Sequence, residues 1–140
     1  MLKGVPRILS PELLKVLAEM GHGDEIVLAD ANFPAASNAR RLVRMDGVDM
    51  PELLEAVLQL MPLDSYAAEP VAFMKVEVGD LPPVIWETYR AIIEGCGYDA
   101  RIRYEERCDF YLQSRNAYAV VATGEQSQYG NIVLKKGVVF

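Results

Sequence analysis

An apolar run without any polar interruption, Ile26 to Ala29, is the feature that most limits how this chain can fold. A strand with one face in water alternates apolar and polar residues, whereas a strand covered on both faces is apolar throughout. A helix is predicted before this run, because Ser10 is a good N-cap, Pro11 suits the first helical turn and Gly21 favours a stop. Ile26 to Ala29 is therefore predicted to be a buried strand of a sheet that helices cover on both sides.

Helical and extended patterns keep alternating along the rest of the chain. Further helices are predicted from Met50 to Met61, after Pro83, and from Arg107 to Arg115. Further strands are predicted at Leu42–Val43, Val71–Val78, Arg101–Tyr104, Tyr118–Thr123 and Ile132–Leu134. The length of 140 residues suits one core and is too short for two ordinary domains. We therefore expect a single α/β domain, 1–140, with a mixed or mostly parallel sheet.

The charge balance argues against one broad class of partner. The chain carries a formal net charge of -6 at pH 7, whereas proteins that bind a phosphate backbone usually present a clustered basic face. The basic pairs Arg40-Arg41 and Lys135-Lys136 are isolated, and we interpret them as solvated surface residues. No nucleic-acid partner is expected.

The sequence also predicts no membrane segment, disulfide or metal site. No apolar stretch approaches the ~18 residues of a membrane span, and no charged and apolar leader opens the chain. Cys96 and Cys108 are twelve residues apart, which matches neither a paired zinc ligand nor a redox Cys-x-x-Cys. A cytoplasmic protein with two reduced thiols is expected.

His22 is the only histidine and the natural candidate for proton transfer. Histidine is the side chain whose ordinary pKa lies nearest neutrality. Gly21 and Gly23 flank it, and glycine leaves the backbone free to expose the imidazole to a ligand. A hydrogen-bonded loop residue is the alternative interpretation. We interpret Asp24 as the cap of the turn that follows it.

Two other segments carry candidate binding residues. Asp30 ends the buried strand, at the edge where open α/β sheets place ligands, and a carboxylate suits a polyhydroxylated partner. Tyr129, Gly130 and Asn131 offer a phenol, a bare backbone and an amide in succession, although turn chemistry explains Gly130 and Asn131 equally well. On the sequence alone, Arg107 is better explained as half of a surface ion pair.

Several familiar sites are absent from the sequence. It contains no Gly-x-x-x-x-Gly-Lys loop for nucleotide phosphates, no Gly-x-Gly-x-x-Gly after a strand and no Gly-x-Ser-x-Gly elbow. A single histidine can supply one acid/base centre but no histidine pair. Tyr111, a further candidate, is interpreted as a core residue. The expected chemistry is therefore cofactor-free proton transfer or simple binding.

Both ends of the chain carry a specific pattern. The N-terminal part contains Ser10-Pro11-Glu12-Leu13-Leu14, Gly21-His22-Gly23-Asp24 and Asp30-Ala31-Asn32-Phe33-Pro34. The C-terminal part contains Thr123-Gly124-Glu125 and the run from Tyr129 to Val138. Together these motifs resemble the ribose pyranase and fucose mutarotase family, and its fucose branch in particular. The middle, roughly 40–99, is not matched.

The resemblance implies a ribose pyranase-like fold, which is a three-layer α/β/α sandwich. It implies interconversion of the α and β anomers of L-fucose, an isomerase reaction that needs no cofactor and no metal. In this family the histidine matched by His22 is the proton donor, while Asp30, Arg107 and the Tyr129-Gly130-Asn131 segment match sugar-binding positions. The resemblance also implies a homo-oligomer, often a decameric ring. Asn32 departs from the fucose branch, where histidine is common.

Two other functions stay open at this point. One is ribose pyranase, which interconverts pyranose and furanose rings. Arg107 argues against it, because the fucose branch has arginine there and the ribose branch usually has histidine, and so does the Gly-Asp pair after His22. The other is a noncatalytic protein that binds a monosaccharide.

The positions of His22 and Asp30 create a geometric conflict. If Ile26 to Ala29 is extended at ~3.3 Å per residue, the two side chains lie at opposite ends of one strand. Either the Gly-His-Gly loop curls back, or one site combines residues from two subunits. Because oligomers are the habit of the family, we expect a site at or near a subunit interface.

Overall fold

The computed structural model describes all 140 residues, and its centre is a six-stranded sheet. In chain order the strands are β1 Glu25–Ala29, β2 Leu42–Met45, β3 Val71–Met74, β4 Ile102–Glu105, β5 Ala119–Thr123 and β6 Ile132–Lys135. Across the sheet the order is β2-β5-β1-β6-β3-β4. β6 runs antiparallel to both of its neighbours, and the other three pairings are parallel. The mixed, mostly parallel sheet is therefore confirmed.

Helices cover both faces of this sheet. They are α1 Pro11–Glu19, α2 Ala35–Asn38, α3 Met50–Leu60, α4 Ile85–Gly95 and α5 Arg107–Asn116. Apolar side chains of α1, α3 and α4 pack on one face, around Leu28 and Phe73. Side chains of α2 and α5 pack on the other face, around Val27 and Phe110. These layers form the α/β/α sandwich that the resemblance implies.

None of these helices has both the length and the apolar character needed to cross a bilayer.

The local signals near the N-terminus act largely as predicted. Ser10 Oγ accepts a hydrogen bond from Leu13 N at 3.1 Å, and α1 begins at the next residue. The four residues from Ile26 to Ala29 are fully buried, because helices cover both faces of β1. The burial of β1 fixes the positions of the residues just before and just after it, and candidate site residues lie on both sides of this strand.

The end of α1 differs from its prediction. The helix ends at Glu19 and Met20 is already extended, so Gly21 is not the helix stop. Gly21 N instead donates to Asp24 Oδ2 at 2.7 Å. Asp24 therefore closes the turn that precedes it, and the prediction that it caps the following turn is wrong.

The predicted strand from Val71 to Val78 is too long. β3 ends at Met74, because its neighbour β4 ends at Glu105, directly opposite. Beyond this point the chain has no strand partner, and Gly79 turns it with a φ of 96°. The largely exposed residues 75–84 connect β3 to α4, and we call this connection the strap.

Candidate active site

A cavity of about 370 Å³ opens at one edge of the sheet, within the ~300–1,000 Å³ typical of small-molecule sites. Its position follows from topology. β6 is antiparallel to β1 and β3, so its first residue, Ile132, pairs with Leu28 and Phe73, next to the last residues of those strands. The lining consists of nine residues: Asp30, Asn32, Phe33, Met74, Arg107, Tyr111, Gln128, Tyr129 and Asn131. Four of the predicted sugar-binding residues are among them.

Asp30 is the one acid that lines this cavity, and only 6% of its surface is exposed. Its main-chain N donates to Asn131 Oδ1 at 2.8 Å, and its Oδ1 accepts from Asn32 N at 3.0 Å. Burial raises the pKa of the Asp30 carboxyl above its usual value, against the opposing effect of backbone donors at Asn32 and Gly130. The carboxyl is therefore poorly solvated and still has lone pairs for a ligand.

Gly130 supports the cavity wall without lining it. Its carbonyl accepts a hydrogen bond from Tyr89 Oη at 2.8 Å. A Cβ at this position would lie 2.9 Å from Ser127 O, so any other residue would have to displace backbone. Glycine is needed here for a close approach of two chain segments. This close approach sets the path of the chain between Tyr129 and Asn131.

Tyr129 sits in an unusual backbone conformation at the rim. Its φ is 55°, which costs a residue other than glycine about 1–3 kcal/mol. Its carbonyl accepts from Trp86 Nε1 at 2.9 Å. Its phenol donates to Asp80 and accepts from Glu77 N, both in the strap. Neighbouring groups therefore hold both the backbone and the side chain of Tyr129.

Arg107 lies at the cavity and also takes part in a surface ion pair. It lines the cavity, and its Nε lies 3.7 Å from Glu77 Oε1. Both side chains of this ion pair are more than half exposed, so the pair contributes little to stability. The guanidinium is thus free to exchange its carboxylate partner for a ligand.

Tyr111 was interpreted as a core residue, and the structure places it in the cavity wall instead. Its ring packs edge to face against Phe33, with the ring centroids 5.6 Å apart. A signal for this position was present, because Tyr111 follows Arg107 by four residues on α5 and such residues share a helix face. No comparable signal marks Met74 or Gln128.

His22 does not line the cavity. Gly23 N donates to Lys136 O at 2.9 Å, which holds the histidine loop beside the residue that follows β6. Asn131, which precedes β6, lies at the other edge of the sheet. The five residues of β1 alone separate the two edges by about 16 Å. The loop does not curl back, so within one chain His22 and Asp30 stay apart.

Asp64 is a partner of His22 that the sequence did not predict. Its Oδ1 lies 3.1 Å from His22 Nε2 and accepts a second hydrogen bond from Tyr66 N at 3.1 Å. Burial alone would raise the pKa of the Asp64 carboxyl, yet the hydrogen bonds from Tyr66 and His22 bring it below its usual range. An ionised carboxylate only accepts, so Nε2 carries a proton and Nδ1 is the nitrogen left to exchange one.

The two edges of the sheet therefore offer complementary chemistry. The cavity holds a buried carboxyl, a guanidinium and an amide, which suit a small molecule with several hydroxyl groups. The other edge holds an imidazole that is 48% exposed and oriented by a buried carboxylate. No group of three or more His, Cys, Asp or Glu side chains is arranged to hold a metal ion.

The raised pKa of Asp30 predicts how pH affects stability. The folded protein binds the carboxyl proton of Asp30 more tightly than the unfolded chain does. The contribution of Asp30 to the free energy of unfolding is therefore most favourable below pH 3.8, the ordinary pKa of the carboxyl. It declines as the pH rises through the raised folded-state pKa. We expect the free energy of unfolding of the wild type to fall relative to that of Asp30→Asn as the pH rises above 3.8.

Urea titrations of both proteins at several pH values measure this difference. Asp99→Asn, at an exposed loop position, serves as the matched control and should follow the wild type. A difference between wild type and Asp30→Asn that stays constant with pH would contradict the expectation.

The sheet order, the two helical layers and the edge cavity define an α/β/α sandwich protein with a candidate small-molecule site at the carboxyl ends of its parallel strands. The chain belongs to the RbsD / FucU transport protein family, whose sequence profile matches residues 3–139. The resemblance inferred from the two chain ends is thereby confirmed, and the match includes the middle of the chain that the motifs left unassigned.

Relatives of known name resemble the chain over its whole length. Human fucose mutarotase is 50% identical over 145 residues, which cover 99% of this chain and 94% of the human protein. L-fucose mutarotase of Haemophilus influenzae is 51% identical over 140 residues, which cover 99% of this chain and 97% of that protein.

Solved structures separate the two branches of the family. The fucose mutarotase of Streptococcus pneumoniae, solved in complex with L-fucose, superposes with a TM-score of 0.97 at 61% identity and covers 99% of this chain and 100% of its own. Bacillus subtilis RbsD, complexed with D-ribose, gives 0.73 at 25% identity and covers 100% of both chains. Of these two proteins, the fucose mutarotase is clearly the more similar.

Proposed function

We propose that this protein is an L-fucose mutarotase, an isomerase that interconverts the α and β anomers of the sugar by opening and reclosing its ring. The full-length similarity to fucose mutarotases carries this proposal. The cavity that brings Asp30, Arg107, Tyr129 and Asn131 together supports it independently.

Ring opening breaks the bond between the anomeric carbon and the ring oxygen, and it requires only proton transfers between the enzyme and the sugar. The ring oxygen gains a proton as it leaves the anomeric carbon, and the anomeric hydroxyl loses one. Reclosure on the other face of the aldehyde reverses both transfers. A histidine can serve in either direction near neutral pH, and such acid/base help is typically worth ~10² to 10⁴ in rate. His22 is the proposed group, with Nε2 fixed by Asp64 and Nδ1 exchanging the proton.

The cavity residues would hold the hydroxyls that do not react. The Asp30 carboxyl accepts hydrogen bonds and the Arg107 guanidinium donates them. Asn131 Oδ1 already accepts from Asp30 N, so its Nδ2 is the atom left to donate. Phe33 and Met74 give the cavity an apolar wall that suits the methyl group of a 6-deoxysugar. Fixing the sugar in this way restricts motion to the opening ring.

The separation of the two edges supports a site shared between copies of the chain. Because β1 keeps His22 away from its own cavity, we propose that His22 of one copy completes the cavity of another. The half-exposed imidazole is accessible for such a contact. A homo-oligomer, of the decameric kind implied by the resemblance, would supply it.

The proposed mechanism assigns every proton transfer to the chain and the sugar, and no cofactor takes part in it. We also propose that the protein works in the cytoplasm. Cys96 and Cys108 are free thiols, which agrees with a reducing compartment.

One-dimensional saturation-difference NMR on L-fucose and D-ribose tests the function. When one anomeric proton of L-fucose is saturated in the presence of the protein, the saturation should transfer to the anomeric proton of the other anomer. The same transfer should be much weaker for D-ribose. Heat-denatured protein is the control. Faster exchange between ribose ring forms would identify a ribose pyranase instead. Sugar binding without any accelerated exchange would identify a noncatalytic binding protein.

A further inference from the structure

The strap is attached to the cavity through two residues that are proposed to bind sugar. The Tyr129 phenol donates to the Asp80 carboxylate and accepts from Glu77 N at 3.3 Å. Arg107 Nε lies 3.7 Å from Glu77 Oε1. Val76 packs against the hydrophobic core, whereas Val78 and Leu81 are exposed to solvent. The strap therefore contacts the site residues Tyr129 and Arg107 through the Asp80 carboxylate and through the carboxylate and main-chain N of Glu77.

We propose that Asp80 is a positioning residue, whose carboxylate accepts the hydrogen bond that the Tyr129 phenol can donate. The phenol oxygen is then left to accept a hydrogen bond from a sugar hydroxyl and does not donate one to it. This inference rests on the proposed function of the cavity. It assigns a role to a residue outside the cavity lining, because Asp80 acts only through Tyr129.

The hydrogen-bonding capacity of a phenol supports this assignment. Tyrosine has one O–H donor, and its oxygen can also accept. At Tyr129 the donor is used by Asp80, and one acceptor direction is used by Glu77 N. Any further hydrogen bond at this oxygen must come from a donor. The hydroxyl groups of a sugar can supply that donor.

The backbone of Tyr129 is held by other groups, so Asp80 controls only the side chain. Trp86 Nε1 donates to Tyr129 O at 2.9 Å, and Tyr89 Oη donates to the next carbonyl, Gly130 O, at 2.8 Å. Removing Asp80 leaves both contacts in place. The change should therefore release the phenol without releasing the loop.

The acidity of Tyr129 agrees with this geometry. The hydrogen bond to Asp80 raises the pKa of the Tyr129 phenol above its usual value, and the charge of Glu77 acts in the same direction. The hydrogen bond from Glu77 N partly opposes them. Arg107 on α5 is the cation that faces the Glu77 carboxylate of the strap.

Glu77 is the less favoured positioning residue. Its carboxylate contacts Arg107 between two side chains that are each more than half exposed, and such pairs are weak. Its contact with Tyr129 uses the main-chain N, which every residue at position 77 except proline would provide. The side chain of Asp80 is therefore the strap group whose chemistry matters to Tyr129.

Steady-state exchange of L-fucose anomers tests the inference through KM and kcat. Asp80→Ala should raise KM about tenfold, because an unanchored phenol loses a hydrogen bond to the sugar, while kcat changes less than about twofold. Asp80→Asn should restore most of the wild-type KM, because its amide oxygen still accepts the phenol proton. Glu94→Ala, an exposed acid on α4, is the charge-matched control and should leave KM unchanged.

A double-substitution cycle separates positioning from a general effect of the strap. In the Tyr129→Phe background, Asp80→Ala should raise KM by less than about twofold further, because the phenol is already gone. An unchanged KM for Asp80→Ala, or an equal rise in both backgrounds, would overturn the inference.

A readout without activity keeps the inference distinct from the proposed function. With tyrosine labelled at the ζ carbon, the NMR signal of Tyr129 is identified by its loss in Tyr129→Phe. Its pKa should fall toward the ordinary value in Asp80→Ala, because the carboxylate that raises it is gone. An unaltered titration would overturn the positioning role. Wild-type protein that lacks exchange with any sugar, yet shows this fall, would overturn the proposed function alone.

Discussion

Replacing His22 with alanine is expected to slow the exchange of L-fucose anomers by about 10²- to 10⁴-fold, the usual contribution of a general acid/base. The sugar should still bind with nearly wild-type affinity. The reason is that the side chains proposed to hold the non-reacting hydroxyls, Asp30, Arg107 and Asn131, are unchanged in this variant. Saturation-difference NMR measures the exchange, and isothermal calorimetry measures the binding.

Asp64→Asn provides a graded companion to this variant. Its amide oxygen can still accept from Tyr66 N and from the imidazole, so His22 keeps its place while the negative charge is lost. A loss smaller than that of His22→Ala is expected. Exchange at the wild-type rate in His22→Ala would remove His22 from the mechanism.

Two variants that are each altered in a different part of the proposed site are expected to be more active when they assemble together than alone. His22→Ala keeps an intact cavity, and Asp30→Asn keeps an intact imidazole. If one copy completes the cavity of another, a random 1:1 mixed oligomer contains intact sites at roughly a quarter of its interfaces. Exchange activity should therefore rise from near zero to about a quarter of the wild-type value.

Co-expression with two different affinity tags yields the mixed oligomers needed for this measurement. The matched control pairs His22→Ala with Asp64→Asn, because both substitutions lie at the same edge, neither copy supplies the wild-type His22–Asp64 pair, and the mixture should only average the two activities. Each variant purified alone gives the baseline. A mixed oligomer without recovered activity, or a fully active monomer in sedimentation, would refute the shared site.

Features that depend on neighbouring residues could be predicted from the sequence. Ser10 begins a helix because its own hydroxyl satisfies a backbone N–H three residues later. Ile26 to Ala29 predicted a strand covered on both faces because burial leaves a direct compositional trace. The edge position of Asp30 followed, since it is the residue after that strand.

Features that depend on distant residues could not be predicted. The end of β3 at Met74 is set by the end of β4, more than thirty residues further along the chain. The contact of Asp64 with His22 spans 42 positions, and no local pattern encodes it. Arg107 looked like one half of a surface ion pair, which it is, but only the fold shows that the pair stands at the mouth of a cavity.

The pairing of β1 with β6 also determines how often the site is disturbed by local opening. These two strands occupy the middle of the sheet, with two strands on each side, and such central strands open to solvent less often than edges and exposed loops. The Asp30–Asn131 contact and the Gly23–Lys136 contact lie at the two ends of this pair. Fraying at β2 or β4 would therefore leave the cavity residues and the His22 loop in place at the two ends of this strand pair. We therefore expect backbone amides along β1 and β6 to exchange among the slowest in the molecule and those of the strap among the fastest, which hydrogen exchange measures.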